Sequence, residues 1–227
     1  NDGSHPGNLA DVDGGLFFRA SGGVWMSDGT TEGTSRLETP GNLPDEQPAV
    51  ASGGLYYFVK GSFPAFELWR TDGTASGTFH LYTMGDSRSR FDDMTPFHGG
   101  LLFQGSDPPT GMEPWFTTGT VAGTRLLNDI DPGMSSGYVF TYPTTVVEEG
   151  TALLEAYGGD GSRQELWRTD GTPAGTRRLT LLDAHDWAKM PGAYTKFGDA
   201  FYFVGARQDG PLTLWRVDAV AGAVTPI

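Results

Sequence analysis

Trp69-Arg70-Thr71-Asp72-Gly73-Thr74-Ala75-Ser76-Gly77-Thr78 decides how this chain folds, because the chain spells it more than once. The phrase Trp-x-x-Asp-Gly-Thr-x-x-Gly-Thr also runs from Trp25 to Thr34 (WMSDGTTEGT) and from Trp167 to Thr176 (WRTDGTPAGT). The copy from Trp115 to Thr124 (WFTTGTVAGT) has Thr118 in place of the aspartate, and a worn fifth copy starts at Trp215 (WRVDAVAGAV). The tryptophans recur about every 45–50 residues, a spacing that marks a repeat architecture.

Around the second copy, Ala49-Val50-Ala51 precedes a Gly53-Gly54 turn, and Leu55-Tyr56-Tyr57-Phe58-Val59 follows as an apolar strand. Lys60 to Ala65 reads as a polar loop, Phe66 to Thr71 as a third strand and Thr78 to Tyr82 as a fourth. The second strand recurs as Leu16-Phe17-Phe18, Leu101-Leu102-Phe103, Ala152-Leu153-Leu154 and Phe201-Tyr202-Phe203. Consecutive apolar positions mean that both faces of the sheet are covered, as in a propeller blade packed between neighbours. The expected fold is all-β: a five-bladed β-propeller of four-stranded antiparallel blades. It forms a single domain over 1–227, with blades roughly at 8–40, 47–84, 94–130, 144–182 and 193–227. A β-solenoid competes less well, since its coils are shorter, roughly 20–30 residues.

Each part of the phrase has a turn-building use. Trp25, Trp69, Trp115, Trp167 and Trp215 supply large buried areas that wedge between blades. Asp28, Asp72 and Asp170 can accept backbone N–H bonds, glycine permits positive φ, and threonine bonds the loop to itself. These residues are read as structural. With Glu67-Leu68-Trp69, Glu113-Pro114-Trp115 and Glu165-Leu166-Trp167 ahead of the turn, the phrase resembles the Glu-Leu-Trp-x-x-Asp-Gly-Thr-x-x-Gly-Thr repeats, often labelled hyalin-like, of secreted bacterial proteins. Val24-Trp25 and Leu214-Trp215 lack the glutamate. The resemblance covers essentially the whole chain and implies a secreted or cell-surface β-repeat protein, without implying an activity. A ring of five four-stranded blades is also similar in architecture to the tachylectin type of lectin.

The chain has 227 residues, with Lys+Arg 15 against Asp+Glu 28 and a net charge of −13. Such a surface repels phosphate backbones and anionic lipid, so nucleic acid is not an expected partner. There is no cysteine, hence no disulfide or thiolate chemistry. No apolar run approaches the roughly 18 residues that span a bilayer. Without an initiator methionine or a signal peptide, the chain reads as processed or excised.

Recognisable chemistry is sparse. His5, His80, His98 and His185 fall at different repeat phases without metal-ligand spacing, and no phosphate loop occurs. Asp11-Val12-Asp13-Gly14 and Asn128-Asp129-Ile130-Asp131 are oxygen-rich, so Asp11, Asp13, Asp129 and Asp131 are weak metal candidates. Calcium is the cation they would hold, and no other cofactor is indicated. First strands should line the central channel, which would place Asp11, His98, Glu148 and Lys196 there. The connections between blades carry Arg90-Phe91, Tyr138, Tyr142 and Asp186-Trp187, which mix aromatic faces with charge as sugar sites do.

The functional expectation is a non-enzymatic, lectin-like binding module, secreted or at the cell surface, with a glycan or another protein as ligand. Its site would use Trp187, Asp186, Tyr138, Tyr142, Arg90 and Phe91. Two alternatives stand beside it: a structural or protein-interaction ring within a larger assembly or tandem array, and a hydrolase using the channel-lining polar residues.

Overall fold

The computed structural model describes residues 5–37, 49–62, 65–84, 91, 94–130, 132, 145–147, 150–157, 164–182, 195–206 and 210–227. Those residues form strands, turns and loops and no helix. Five antiparallel sheets follow one another along the chain, and each takes its four strands in sequence order. The first sheet comprises β1 (Gly7–Val12), β2 (Gly15–Ala20), β3 (Gly23–Ser27) and β4 (Ser35–Arg36). The second comprises β5 (Ala49–Ser52), β6 (Leu55–Ser62), β7 (Ala65–Thr71) and β8 (Phe79–Thr83). The third comprises β9 (Thr95–Phe97), β10 (Gly100–Asp107), β11 (Gly111–Thr117) and β12 (Arg125–Leu126). In the fourth are β13 (Thr145–Val147), β14 (Thr151–Tyr157), β15 (Gln164–Thr169) and β16 (Arg177–Leu182). The fifth has β17 (Thr195–Phe197), β18 (Ala200–Gly205), β19 (Thr213–Asp218) and β20 (Ala223–Pro226). The chain divides into two compact units, Asn1–Pro108 with Trp115–Arg125, and Pro109–Pro114 with Leu126–Ile227.

One difference from the sequence reading lies in the second sheet. Lys60 to Ser62 continue β6, and Ala65 to Glu67 start β7, so the expected polar loop from Lys60 to Ala65 is mostly paired strand. Lys60 faces Glu67 across the pair with Nζ–Oε2 at 3.8 Å, and its ammonium lies over the Trp69 ring. Opposite charges directly across a strand pair stabilise the extension. Gly61, at φ 91°, supplies a conformation that other residues avoid there.

The consecutive apolar residues of the second strands bury in two directions. Tyr56 and Phe58 pack with Phe17 and Val24 of the first sheet. Tyr57, Val59 and Leu68 pack with Leu101 and Phe103 of the third. In the second unit, Leu153 and Leu166 pack with Phe203, Trp215 and Val217. Each such side chain contributes roughly 1.5–3 kcal/mol by leaving water. Alternation along the strand sends neighbouring residues to opposite faces, which is why an unbroken apolar run is needed.

Candidate functional site

The repeated phrase begins on the third strand of each sheet and ends in the following loop, where its polar groups bond to one another. In the second copy the Asp72 carboxylate accepts bonds from the Thr74 N–H at 2.9 Å and the Thr74 hydroxyl at 2.7 Å. The Thr74 hydroxyl in turn accepts the Gly77 N–H at 2.9 Å. The Thr78 hydroxyl donates to the Thr74 carbonyl at 2.7 Å. Its single proton is thereby used, so in the 2.6 Å pair of Thr71 and Thr78 hydroxyls it is Thr71 that donates. Thr71 also accepts the Gly73 N–H at 3.0 Å. The circuit is closed within eight residues, through Oδ1 of Asp72.

The two glycines of the phrase serve different needs. Gly73, at φ 93°, takes a left-handed conformation. Gly77 is required for space, because a Cβ there would lie 1.9 Å from Asp72 Oδ1. The first and fourth copies repeat the circuit through Asp28 and Asp170. Bonds from the Thr30, Thr74 and Thr172 hydroxyls hold the Asp28, Asp72 and Asp170 carboxyls below their ordinary range. In the third copy Thr118 replaces the carboxylate, yet the Thr117–Thr124 pair and the Gly123-to-Thr120 bond persist. The fifth copy turns more tightly, with the Asp218 carboxylate accepting the Ala221 N–H at 2.8 Å.

A second constellation forms where first strands meet. In the first unit β1 contacts β5, and β5 contacts β9. Each leads into a two-residue hairpin turn: Asp13-Gly14, Gly53-Gly54 and His98-Gly99. All six residues have positive φ, the type I′ pattern that matches strand twist. Asp13 and His98, both at φ 51°, are the non-glycine members. A Cβ on Gly53 would fall 1.9 Å from the Gly99 carbonyl oxygen, and one on Gly54 would fall 2.8 Å from Asp13 Oδ2. The glycines thus let the turns touch. Ser52 Oγ donates to the Gly100 carbonyl at 2.6 Å, and the His98 ring stands edge-on to Phe97 with centroids 4.4 Å apart. Asp13, Ser52 and His98 thus lie on or beside turns that touch in series, Asp13 near Gly54 and Gly53 near Gly99. The signal was present in the sequence as Asp-Gly, Gly-Gly and His-Gly at one repeat phase, but the contact between turns was not.

Of the channel residues expected from the sequence, Asp11 and His98 lie in the first unit and Lys196 in the second, while Glu148 lies outside the described residues. The Asp11 carboxylate accepts the Gly14 N–H at 2.9 Å and so caps its own turn. Among the metal candidates, Asp13 sits in that turn and Asp129 follows β12, while Asp131 is outside the described residues. Among the described residues no three His, Asp or Glu side chains gather as a metal site would require. Trp187, Asp186, Tyr138, Tyr142 and Arg90 also lie outside the described residues. Phe91 is fully buried against Tyr82 and Phe103, which leaves no ring face for a sugar.

No family model and no curated protein matches this chain. Solved structures do. The chain is similar to dipeptidyl peptidase 4 of Porphyromonas gingivalis at TM-score 0.56 and 9% identity, over 92% of this chain and 29% of that one. It is similar to a puromycin hydrolase, solved as a mutant complexed with PGG, at TM-score 0.51 and 13% identity, over 97% and 37%. The tricorn protease follows at TM-score 0.49 and 14% identity, over 99% and 22%. The chain spans about a third or less of the length of these structures. They are β-propeller proteins, and at these identities the likeness concerns the fold. The expectation of a non-enzymatic binding module is corrected on this finding, since the two structures above TM-score 0.5 are a dipeptidyl peptidase and a puromycin hydrolase. The earlier reading leaned on architecture, which hosts many functions and is a weak warrant for one.

Proposed function

We propose that the five sheets are blades of a β-propeller belonging to a hydrolase of peptide or other amide bonds. The observation that carries this reading is the meeting of the Asp13, Ser52 and His98 turns, supported by the fold shared with a peptidase and a puromycin hydrolase. His98 serves as general base toward water in this scheme, and its imidazolium returns that proton to the leaving amine as the acyl bond breaks. Ser52 is not the nucleophile, because its proton is directed at the Gly100 carbonyl. A secreted or cell-surface location is also proposed, on the resemblance of the repeated phrase.

The test is hydrolysis of a panel of aminoacyl and dipeptidyl p-nitroanilides by the purified chain and its His98→Ala variant. Turnover that falls by about 100-fold or more in the variant, with an unchanged circular dichroism spectrum, is expected. Absence of turnover across the panel, or equal turnover in both proteins, overturns the reading.

A further inference from the structure

Asp13-Gly14, Asp28-Gly29, Asp72-Gly73 and Asp170-Gly171 are the Asp-Gly pairs that lie wholly among the described residues. An Asp-Gly pair is prone to rearrange without any enzyme. The glycine nitrogen, which no side chain shields, can close a small imide ring on the aspartyl Cγ. Closure has three needs. A base must take the glycine N–H proton, the carboxyl must be protonated so that its hydroxyl can leave as water, and Cγ must be able to swing onto the nitrogen.

The repeated phrase withholds all three. The Gly29, Gly73 and Gly171 N–H groups donate to the Ser27, Thr71 and Thr169 hydroxyls, each at 3.0 Å. A hydroxyl accepts such a bond but is a poor base for the proton. Bonds from Thr30, Thr74 and Thr172 to the three carboxylates favour their ionised form. Each Cγ is also pressed against the second glycine of its phrase, since a Cβ on Gly33, Gly77 or Gly175 would lie 2.1 Å from it.

The Asp13-Gly14 turn between β1 and β2 is built the other way. Its glycine N–H donates to Asp11 Oδ1 at 2.9 Å, so the group facing the nucleophile is a carboxylate. The Asp13 carboxyl receives no hydrogen bond from another described residue, and no threonine holds it in place.

We propose that Asp13-Gly14 is a site of spontaneous succinimide formation and conversion to isoaspartate, with Asp11 as the base, and that the hydroxyl circuit of the repeated phrase protects the other three pairs. Asp11 takes the Gly14 N–H proton as the nitrogen bonds to Asp13 Cγ. The Cγ–OH bond of protonated Asp13 breaks, and the hydroxide takes the proton from Asp11 and leaves as water. A second water then opens the ring at either carbonyl. Opening at the backbone carbonyl leaves the main chain running through Cγ, one carbon longer inside a two-residue turn. No oxidant or reductant takes part, and the final mass equals the starting mass.

The folded chain is aged in neutral buffer beside the same chain in urea. Isoaspartate is then located by electron-transfer fragmentation of its peptides, and the imide is read as a species one water lighter. In the folded chain Asp13 should convert at least about tenfold faster than Asp28, Asp72 or Asp170, because hydrogen bonds to a charged group must break at the latter three. In urea the four rates should converge. Asp13→Glu should abolish conversion at that turn, since the longer side chain does not close the same ring. Asp11→Asn keeps an acceptor for the Gly14 N–H but removes the base, and should slow conversion at Asp13. Thr74→Val should speed conversion at Asp72 alone and Thr30→Val at Asp28 alone, with the unaltered pairs in the same molecule reporting that the fold is intact. Four equal rates in the folded chain overturn the proposal. So does an Asp13 that stays unconverted while the chain in urea reacts, an Asp11→Asn variant that converts at the original rate, or a pair of threonine variants that leave Asp72 and Asp28 as slow as before.

Discussion

Leu68-Trp69-Arg70 in the second sheet and Leu214-Trp215-Arg216 in the fifth are the same tripeptide on the same strand, yet their leucines meet different surroundings. Leu68 is buried against the third sheet, and Leu214 is exposed. The loops that follow differ as well. Asp72 feeds the closed circuit through Thr74, Gly77 and Thr78, whereas Asp218 turns after three residues onto the Ala221 N–H. Ala223 stands where the other copies have the second glycine, and it pairs with Asp218 across the β19–β20 hairpin. The repeat thus encodes two separable devices, a sheet with two apolar faces and a self-bonded loop, and the fifth copy keeps the first while relaxing the second.

The largest expected contrast lies between the leucines. Leu68→Asp places a carboxylate in a closed apolar interface and should cost at least about 4 kcal/mol. Leu214→Asp in dilute protein should cost less than about 1 kcal/mol, as surface changes do. Urea unfolding of both variants decides the matter, and equal losses would mean that the two faces do not differ in surroundings.

A smaller effect separates the loops. Gly77→Ala drives a Cβ into the Asp72 carboxylate and should cost about 1–3 kcal/mol, as overpacking does. Adding Asp72→Ala should recover part of that loss, a non-additivity that a double-mutant cycle reads directly. Strict additivity would show that Gly77 is required for some reason other than the carboxylate pressed against it.

The smallest effect is in acid. Asp28, Asp72 and Asp170 have folded pKa values lowered from 3.8, chiefly by the threonine hydroxyls that donate to them. Their contribution to stability is fully present above the unfolded value and is lost as pH falls through the folded one. The carboxylates are largely exposed, so solvent screening keeps the contribution small. Acid unfolding of Asp72→Asn should begin from slightly lower stability at neutral pH and converge with wild type in strong acid. Thr118→Asp should install the same acid-sensitive contribution in the third loop. Parallel acid limbs for all three proteins would remove the carboxylates from the account of stability.

Much of the architecture was legible because its causes are local. Each repeat tryptophan lies on the third strand of its sheet, and the turn signature after it follows from bonds spanning at most seven residues. The apolar runs at Leu55 to Val59 and Leu101 to Phe103 required covered faces, and the packing clusters on both sides supply them. The site was less legible. Phe91 reads like a loop aromatic open to ligand, but it fills a core, a fate decided by Tyr82 and Phe103 rather than by its neighbours in sequence. Ser52 carries no motif, and its partner is a carbonyl 48 residues away.

The sequence by itself determined the strand, the turn and the repeat, since backbone pairing within a hairpin and hydroxyl bonds within a loop depend on residues only a few positions apart. The tertiary structure alone decided which apolar faces are covered and which turns touch. Burial of a side chain depends on whatever lies beyond its sheet, and identical tripeptides say nothing about that.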